Sequence, residues 1–161
     1  MQKEPEPVPV YQLKVTLDGI KPLIWRRIQV RGDVSLFKLH KIIQAAMGWE
    51  DYHLHQFMVG EDYYAIPSPE DPWPMGTKNE KRAKLFQVAP AEKARFIYEY
   101  DFGDSWYHDI LVENILYPEG EQEHPVCLAS AQDRPRTAAG GDFDPERFDM
   151  EGINRLLSKI K

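Results

Sequence analysis

Several side chains that can bind metal ions or move protons are concentrated in one short stretch of the sequence. The tight turn from Asp101 to Asp104 reads Asp-Phe-Gly-Asp, and His108 follows on an alternating segment typical of a strand. Carboxylates and imidazoles are common ligands of zinc, manganese and iron. Asp109 is adjacent, but it must point to the opposite face of that strand from His108. Asp101, Asp104 and His108 therefore form a candidate site for a divalent metal.

A second pair of possible ligands, His53 and His55, lies in an earlier strand-like segment. Residues two apart on a strand project from the same face, so both imidazoles can line one pocket or reach one ion. If the two hairpins are neighbours in the sheet, five ligand-type groups converge. That arrangement would suit a small metal-dependent hydrolase or nuclease.

The same residues also have ordinary structural roles, and the sequence leaves both interpretations open. Asp side chains on either side of Gly103 are typical of a tight turn, because they accept hydrogen bonds from backbone amides. A histidine among aromatic residues, such as His108, is typical of a hydrogen-bonded and partly buried position. We interpret His40, on the first predicted helix, and His124, next to a proline, as structural or exposed.

Aromatic residues are the second notable feature, since the chain contains 4 Trp, 8 Tyr and 7 Phe. Aromatic side chains dominate the energetics of many binding surfaces. We predict a binding groove between the sheet and a proline-rich segment, and this favours a non-enzymatic interaction or regulatory module as the first functional hypothesis. The alternative is that the same aromatic side chains form the core. The predicted groove residues are Trp25, Trp49, Tyr98, Tyr100 and Trp106, with Trp73 from the proline-rich segment.

Charge is unevenly distributed along the chain, which has a net charge of -6. Residues 11–49 contain seven basic and two acidic side chains, whereas residues 96–133 contain nine acidic and no basic ones. The basic residues Arg26, Arg27 and Arg31, with Trp25, form a candidate patch for stacking on nucleic-acid bases. The negative net charge disfavours nucleic acid, so this hypothesis ranks last. The asymmetry also suits docking of a protein partner or a second copy of the chain.

Hairpins and one helix must position these residues. Alternating apolar residues predict strands at 11–17 and 24–30, joined by a turn near Gly19. Apolar residues at three- and four-residue intervals predict an amphipathic helix over 36–47, with Ser35 as its N-cap and Gly48 at its end. Short strands at 53–60 and 63–66 are predicted to form the second hairpin.

The remaining segments complete an α+β protein with a mainly antiparallel sheet built from hairpins, a central amphipathic helix and a C-terminal helix. Residues 95–100 and 106–116 are predicted to form the third hairpin. Residues 67–84 contain four prolines and many charges, which predicts an irregular surface loop. Residues 1–10 are predicted to be a flexible tail, and residues 11–161 a single domain. Asp149 is expected to cap the C-terminal helix, with Ile153, Leu156, Leu157 and Ile160 facing inward.

Composition excludes several classes of protein. No stretch approaches the roughly 20 apolar residues of a membrane-spanning helix. The single Cys127 cannot form an internal disulfide, and the N-terminus lacks the basic start and apolar run of a signal peptide, so we expect a cytoplasmic protein. The Asp-Phe-Gly triplet has none of the other motifs of a protein kinase, and no glycine-rich nucleotide-binding loop is present. The candidate cofactor is a divalent metal, because carboxylate and imidazole side chains are the potential ligands grouped in the sequence.

Four stretches of the sequence carry a family resemblance. They read YQLKVTLDGIKPLIWRRIQV, LFKLHKIIQAAMGWEDYHLHQF, FIYEYDFGDSWYHDILVENIL and FDPERFDMEGINRLL. The chain resembles the Ri-plasmid open-reading-frame-three-like family, some of whose members carry a transposon-resolvase label. The resemblance implies an α+β fold in a bacterial or archaeal group that is often associated with mobile elements. The family is of unknown function, so the resemblance implies no activity. After Cys127 the sequence is shorter than usual and lacks the family's Pro-Pro-Glu-Asp run.

Overall fold

Pairs of consecutive strands form hairpins, and the helices lie between these hairpins or after the last strand. The computed structural model describes residues 8–19, 23–67, 74–119, 125–131 and 150–160. A 3-10 turn, Glu80–Arg82, follows the fifth strand. The helices in these residues are α1 (Leu36–Met47), α2 (Leu85–Val88) and α3 (Met150–Ser158). The strands are β1 (Val10–Leu17), β2 (Ile24–Arg31), β3 (His55–Val59), β4 (Asp62–Ala65), β5 (Lys78–Asn79), β6 (Arg95–Tyr100), β7 (Trp106–Leu116) and β8 (Val126–Ala131).

All the described strands belong to one eight-stranded sheet in the order β5-β4-β3-β6-β7-β1-β2-β8. Every neighbouring pair is antiparallel except β4 and β5, which are parallel. The three predicted hairpins are confirmed as β1–β2, β3–β4 and β6–β7, and with them the α+β fold class. Pairing of β3 with β6 makes the second and third hairpins neighbours, which the sequence left open.

The core lies between one face of the sheet and helix α1. Side chains along β1 and β2 alternate between buried and partly exposed, as expected for a sheet with one face packed against the core. Leu39 and Ile43 of α1 are fully buried in the same apolar cluster as Leu13 and Ile28 of the sheet. Polar side chains on the same inner face of α1, such as His40 and Gln44, are therefore also held against the sheet.

Local sequence explains where α1 begins and ends. The Ser35 side chain accepts a hydrogen bond from the backbone N–H of Lys38 at 3.0 Å, which satisfies one of the free donors of the first turn. Gly48 ends the helix with φ of 78°, a left-handed conformation that glycine adopts without a Cβ clash. Both predicted ends of the helix are confirmed, and Gly48 directs the next residues back across the sheet.

The second half of the segment predicted as an irregular surface loop has regular structure. Within residues 74–84 the chain forms β5, the 3-10 turn and a bridge between Lys84 and Ser35. Glu80 in this turn is fully buried. The prolines and charges of this segment wrongly predicted an irregular loop for its second half, because backbone pairing with β4 and with Ser35 gives residues 78–84 a regular structure. Residues 68–73, including Trp73, lie outside the described residues.

Other differences concern short or terminal elements. Neither α2 nor β8 was predicted, because α2 is only four residues long and the β8 sequence VCLASA has no clear alternation of apolar and polar residues. Val10 was assigned to the flexible tail but is buried at the start of β1, while residues 1–7 lie outside the described part. In α3, Leu157 is buried, whereas Leu156 is 49% exposed instead of facing inward. Asp149 and His124 also lie outside the described residues. None of the helices in the described ranges is long and apolar enough to cross a lipid bilayer.

Candidate metal centre

The five predicted metal ligands lie on neighbouring hairpins but do not converge on one point. His55 pairs across the sheet with Tyr100, so the two hairpins meet as the metal hypothesis requires. However, the His55 Nε2 atom faces the carboxylate of Glu80 at 2.8 Å. His53 instead faces Asp101, with 3.6 Å between Nε2 and Oδ2. The predicted set is therefore divided between two places.

His108 is buried, and both of its ring nitrogens have hydrogen-bond partners within the protein. Its Nδ1 atom lies 3.1 Å from the Tyr98 carbonyl oxygen, which can only accept, so Nδ1 carries the proton. The Nε2 atom then accepts the indole N–H of Trp49 at 3.4 Å. Complete burial lowers the pKa of His108 to about 4. Since both nitrogens are engaged, no lone pair of this ring is available to a metal.

Asp101 and Asp104 shape the turn between β6 and β7. The Asp101 Oδ1 atom accepts the backbone N–H groups of Gly103 at 3.1 Å and Asp104 at 3.4 Å, the hydrogen bonds expected of an aspartate turn. Asp101 also has a positive φ of 64°, which Asp tolerates better than most residues. These contacts support a structural role for Asp101 Oδ1, and Asp104 takes part in the turn through its backbone N–H.

The predicted aromatic groove residues do not line one exposed surface. Tyr98, Tyr100 and Trp49 are 0%, 1% and 7% exposed and belong to the apolar core. Trp106 is partly buried against Trp49, with ring centroids 6.0 Å apart. Trp25 lies on the opposite face of the sheet, because it alternates with the inward-facing residues of β2. The alternative that these aromatic residues form the core is correct for three of the five.

The predicted basic patch is also not assembled. Arg26 points inward, is 1% exposed, and donates from Nε to the Ala46 carbonyl oxygen at 2.8 Å. Arg27 points outward and makes two hydrogen bonds to Glu113 at 2.7 and 3.0 Å. Arg31 pairs with Asp33. Adjacent residues on a strand face opposite sides, so Arg26 and Arg27 cannot share one surface.

A different polar cluster lies where α1 crosses β3 and β6. The imidazole rings of His40 and His55 stack with centroids 3.5 Å apart and planes 7° from parallel. Asp51, in the segment between α1 and β3, places Oδ1 3.2 Å from His40 Nε2. One ligand atom from each of these three residues lies within 4.8 Å of the others. We call His40, Asp51 and His55 the histidine–aspartate cluster.

A directed chain of hydrogen bonds holds one side of this cluster. The Gln44 Oε1 atom accepts the backbone N–H of Asp51 at 2.8 Å, so the Gln44 amide N–H donates to the Tyr98 hydroxyl at 2.8 Å. The single Tyr98 proton then faces His40 Nδ1 at 2.7 Å. The proton of neutral His40 therefore lies on Nε2, directed at Asp51. Gln44 and Tyr98 thus fix the positions of both the histidine and the aspartate.

Glu80 holds the other side of the cluster. Its two carboxylate oxygens lie 2.8 and 2.9 Å from His55 Nε2, and its side chain is fully buried. Burial raises the pKa of Glu80, and the hydrogen bond to His55 opposes that shift. A carboxylate against a ligating histidine is the usual partner that orients the ring in metal sites. Glu80 therefore fixes the orientation of the His55 ring.

Burial keeps His40 neutral at physiological pH. Desolvation is the largest effect that lowers the pKa of His40 to about 4, the neighbouring His55 lowers it further, and Asp51 opposes the shift. Metal ligation requires the neutral imidazole, since a protonated ring has no free lone pair. At neutral pH the His40 ring is therefore uncharged, so metal binding at Nε2 would require a change of tautomer but no removal of a proton from a charged ring.

One distance in the cluster is close to that between two ligands of a single divalent ion. Ligands of one tetrahedral zinc lie about 3.4 Å apart, because each is about 2.1 Å from the metal. The separation of His40 Nε2 and Asp51 Oδ1 is 3.2 Å. The His55 ligand atom lies within 4.8 Å of both and would complete the set after a small closing movement. The Asp51 side chain is 53% exposed, so the cluster opens to solvent on that side. Binding at His40 Nε2 uses the other neutral tautomer, in which Nδ1 donates to the Tyr98 oxygen.

His40, Asp51 and Glu80 are not identified as candidate site residues by the sequence patterns, for three different reasons. His40 was interpreted as structural or exposed, although it shares the buried face of α1 with Leu36 and Ile43. A histidine inside an apolar helical stripe needs a polar partner, and this was the available signal. Asp51 had no pattern to mark it. Glu80 was in the predicted irregular loop, and no local pattern indicates that it is buried.

These observations define an α+β protein in which one helix covers a mainly antiparallel sheet and a histidine–carboxylate cluster lies between them. The sequence model of the plasmid pRiA4b ORF-3-like protein family matches residues 9–143, and the chain belongs to this family. The family resemblance inferred from the sequence is thereby confirmed.

Two similar proteins extend the comparison. An uncharacterized protein of Sinorhizobium fredii is 35% identical over 140 residues, which cover 86% of this chain and 71% of that protein. The crystal structure of a protein of unknown function from Methanosarcina mazei Go1 has a TM-score of 0.76 and 34% identity. The match covers 90% of this chain and 96% of that one. The similarity establishes family and fold, and the function of both relatives is unknown.

Proposed function

We propose that this protein is a small metal-dependent hydrolase whose divalent cation is held by His40, Asp51 and His55. The observation that carries the proposal is the meeting of two imidazoles and one carboxylate within 4.8 Å, from three separate parts of the chain. Two histidines and one carboxylate form a common ligand set of catalytic zinc sites, with further coordination positions left for water and substrate. Zinc is therefore the first metal to test.

The residues around the cluster support a catalytic use over a purely structural one. A structural zinc site is normally closed by four protein ligands, whereas the described part of the chain supplies three here, one of them the half-exposed Asp51. A bound divalent metal would polarise a substrate carbonyl or phosphoryl group and lower the pKa of a water molecule to about 7. Glu80 orients His55, and Gln44 holds the Asp51 backbone, so both positions are set by the fold.

Hydrolysis of a small substrate is better supported than the other functions considered. A nuclease must attract phosphates, and the net charge of -6 with acidic Glu50 and Asp51 at the entrance opposes that. The interaction-module hypothesis depended on an exposed aromatic groove, and Tyr98 and Tyr100 are buried instead. The hydrolase hypothesis, in contrast, relies on His40, Asp51 and His55, which lie close together.

Metal binding is the first test. Protein freed of metal with a chelator and then dialysed is titrated with zinc, manganese and iron(II) by calorimetry, and bound metal per chain is measured by elemental analysis. We expect one ion per chain. Asp51→Asn should weaken binding by about 10-fold or more, because a charged ligand becomes a neutral amide. Its half-exposed side chain makes this substitution compatible with folding.

Glu50→Gln is the matched control, since it removes an exposed carboxylate from the preceding residue. This variant should bind metal like the unsubstituted protein. Absence of stoichiometric metal from the unsubstituted protein, or equal losses in both variants, would contradict the assignment of the site.

Hydrolysis is the second test and depends on the first. The metal-loaded protein is assayed with chromogenic carboxylic esters and phosphate esters, before and after chelation. We expect activity that a chelator removes, that added metal restores, and that Asp51→Asn lacks while Glu50→Gln retains it. Stoichiometric metal without any activity on either ester class would reject the hydrolase and leave the metal site standing.

A further inference from the structure

A separate cavity lies beside the 3-10 turn, at the edge of the sheet. Its volume is about 450 Å³, within the usual range for sites that bind small molecules. The turn contributes to both sites, because Glu80 contacts His55 while Asn79 and Arg82 line the cavity. The lining residues used below are Tyr64, Lys78, Asn79, Arg82, Gln87 and Val88.

The chain around this cavity is basic, although the protein as a whole has a net charge of -6. Residues 78–84 contain four basic side chains and one acidic one, Glu80, whose carboxylate is buried against His55. Lys78 pairs with Asp62 at 3.3 Å, and Lys81 lies over the Phe37 ring. Among the ion pairs of the described residues, none involves Arg82. The cavity therefore has an arginine whose charge no described carboxylate neutralises.

The two amide side chains of the cavity are oriented as donors. Asn79 Oδ1 accepts the backbone N–H of Lys81 at 3.0 Å, and Gln87 Oε1 accepts the backbone N–H of Lys84 at 3.0 Å. Each amide oxygen is thus used within the protein, and the NH₂ group is the part left for a ligand. An arginine and two amide NH₂ groups are all hydrogen-bond donors. The ligand that they match is rich in acceptor oxygens and negatively charged.

We propose that this cavity binds a small organic anion through its carboxylate or phosphate oxygens. Arg82 binds the oxyanion, Asn79 and Gln87 donate to it, and the apolar part of the ligand packs against Tyr64 and Val88. The proposal does not depend on the metal centre, because none of these residues belongs to the histidine–aspartate cluster. Phosphate and carboxylate share the required chemistry, and the experiment separates them.

The test uses three probes that share a benzene ring, namely phenyl phosphate, benzoate and neutral benzyl alcohol. Each is titrated at low ionic strength into the full chain, after metal and chelator have been removed, and followed by amide NMR spectra. We expect at least one anion to bind and to shift the side-chain NH₂ signals of Asn79 and Gln87. Benzyl alcohol should bind much more weakly, because it cannot pair with Arg82.

Arg82→Gln and Lys81→Gln form a matched pair, since each removes one positive charge from the same turn. Of these two residues, Arg82 lines the cavity and Lys81 does not. Arg82→Gln should therefore weaken anion binding by about 10-fold, and Lys81→Gln by less than about twofold. Binding of phenyl phosphate alone would assign a phosphorylated ligand, and binding of both anions would assign oxyanions in general. No anion binding, equal losses in the two variants, or equal binding of benzyl alcohol would overturn the proposal.

Discussion

The stacked pair of His40 and His55 imposes a charge constraint that neither ring has alone. Two imidazoles with centroids 3.5 Å apart cannot both be protonated without strong repulsion in a buried environment. Nearby carboxylates do not remove this constraint, because Asp51 is half exposed and Glu80 has a raised pKa. At least one of the two stacked rings therefore stays neutral, and a neutral imidazole is the form that has a lone pair for a metal ion.

The same buried histidines predict how the stability of the metal-free protein depends on pH. Burial gives His40 and His108 a pKa of about 4 in the folded protein, against about 6.5 for a solvent-exposed histidine. Between these values the unfolded chain binds more protons, so the free energy of unfolding falls as the pH falls from 6.5 towards 4. Each histidine contributes a slope of up to about 1.4 kcal/mol per pH unit. Urea denaturation at several pH values in this range measures the slope.

One other group acts in the opposite direction, and one variant isolates the histidine effect. The raised pKa of Glu80 favours the folded state at low pH and partly offsets the two histidines. His108→Gln removes one titrating group that is not among the proposed metal ligands, so it should reduce the slope by up to about 1.4 kcal/mol per pH unit. An unchanged slope in this variant would show that His108 is not the residue that resists protonation.

At the scale of elements, the start of α1 determines where His40 meets His55. The helix begins at Ser35, whose backbone also bridges Lys84 and whose side chain accepts from the Lys38 N–H at 3.0 Å. Leu36 N–H donates to the Ala83 carbonyl oxygen, so the first turn of α1 is tied to the segment that carries Glu80. The first turn of α1 thus connects the helix that carries His40 with the segment that carries Glu80, the partner of His55.

Ser35→Ala should therefore destabilise the protein without abolishing the site. Loss of the N-cap leaves the Lys38 N–H without its side-chain acceptor and typically costs about 1 kcal/mol in unfolding free energy. Ser35→Asp is the control, because aspartate caps helices as well as serine and should restore most of that loss. Urea denaturation and metal titration are measured together. A large loss of metal affinity at unchanged stability would contradict the view that this cap is structural.

For the molecule as a whole, periodic patterns in the sequence predicted the framework, whereas long-range contacts determined the site. Alternation identified β1 and β2 because each strand has one buried and one partly exposed face. No local pattern could show that Glu80 is buried, since its burial depends on β5 pairing with β4. Arg26 could have been placed from alternation alone, as it lies between Ile24 and Ile28 on the inward face.

The charge arrangement on the outer face of β2 predicts that the protein does not retain nucleic acid through Arg27 and Arg31. Arg27 is held by Glu113 and Arg31 by Asp33, so a phosphate must displace a carboxylate at each position, on a protein of net charge -6. Fluorescence anisotropy with a labelled single-stranded oligonucleotide at 0.15 M salt should show no saturation below about 100 µM protein. Arg27→Ala should leave that result unchanged. Micromolar binding that weakens steeply with salt and is lost in Arg27→Ala would restore the nucleic-acid hypothesis, because only direct phosphate contacts produce both effects.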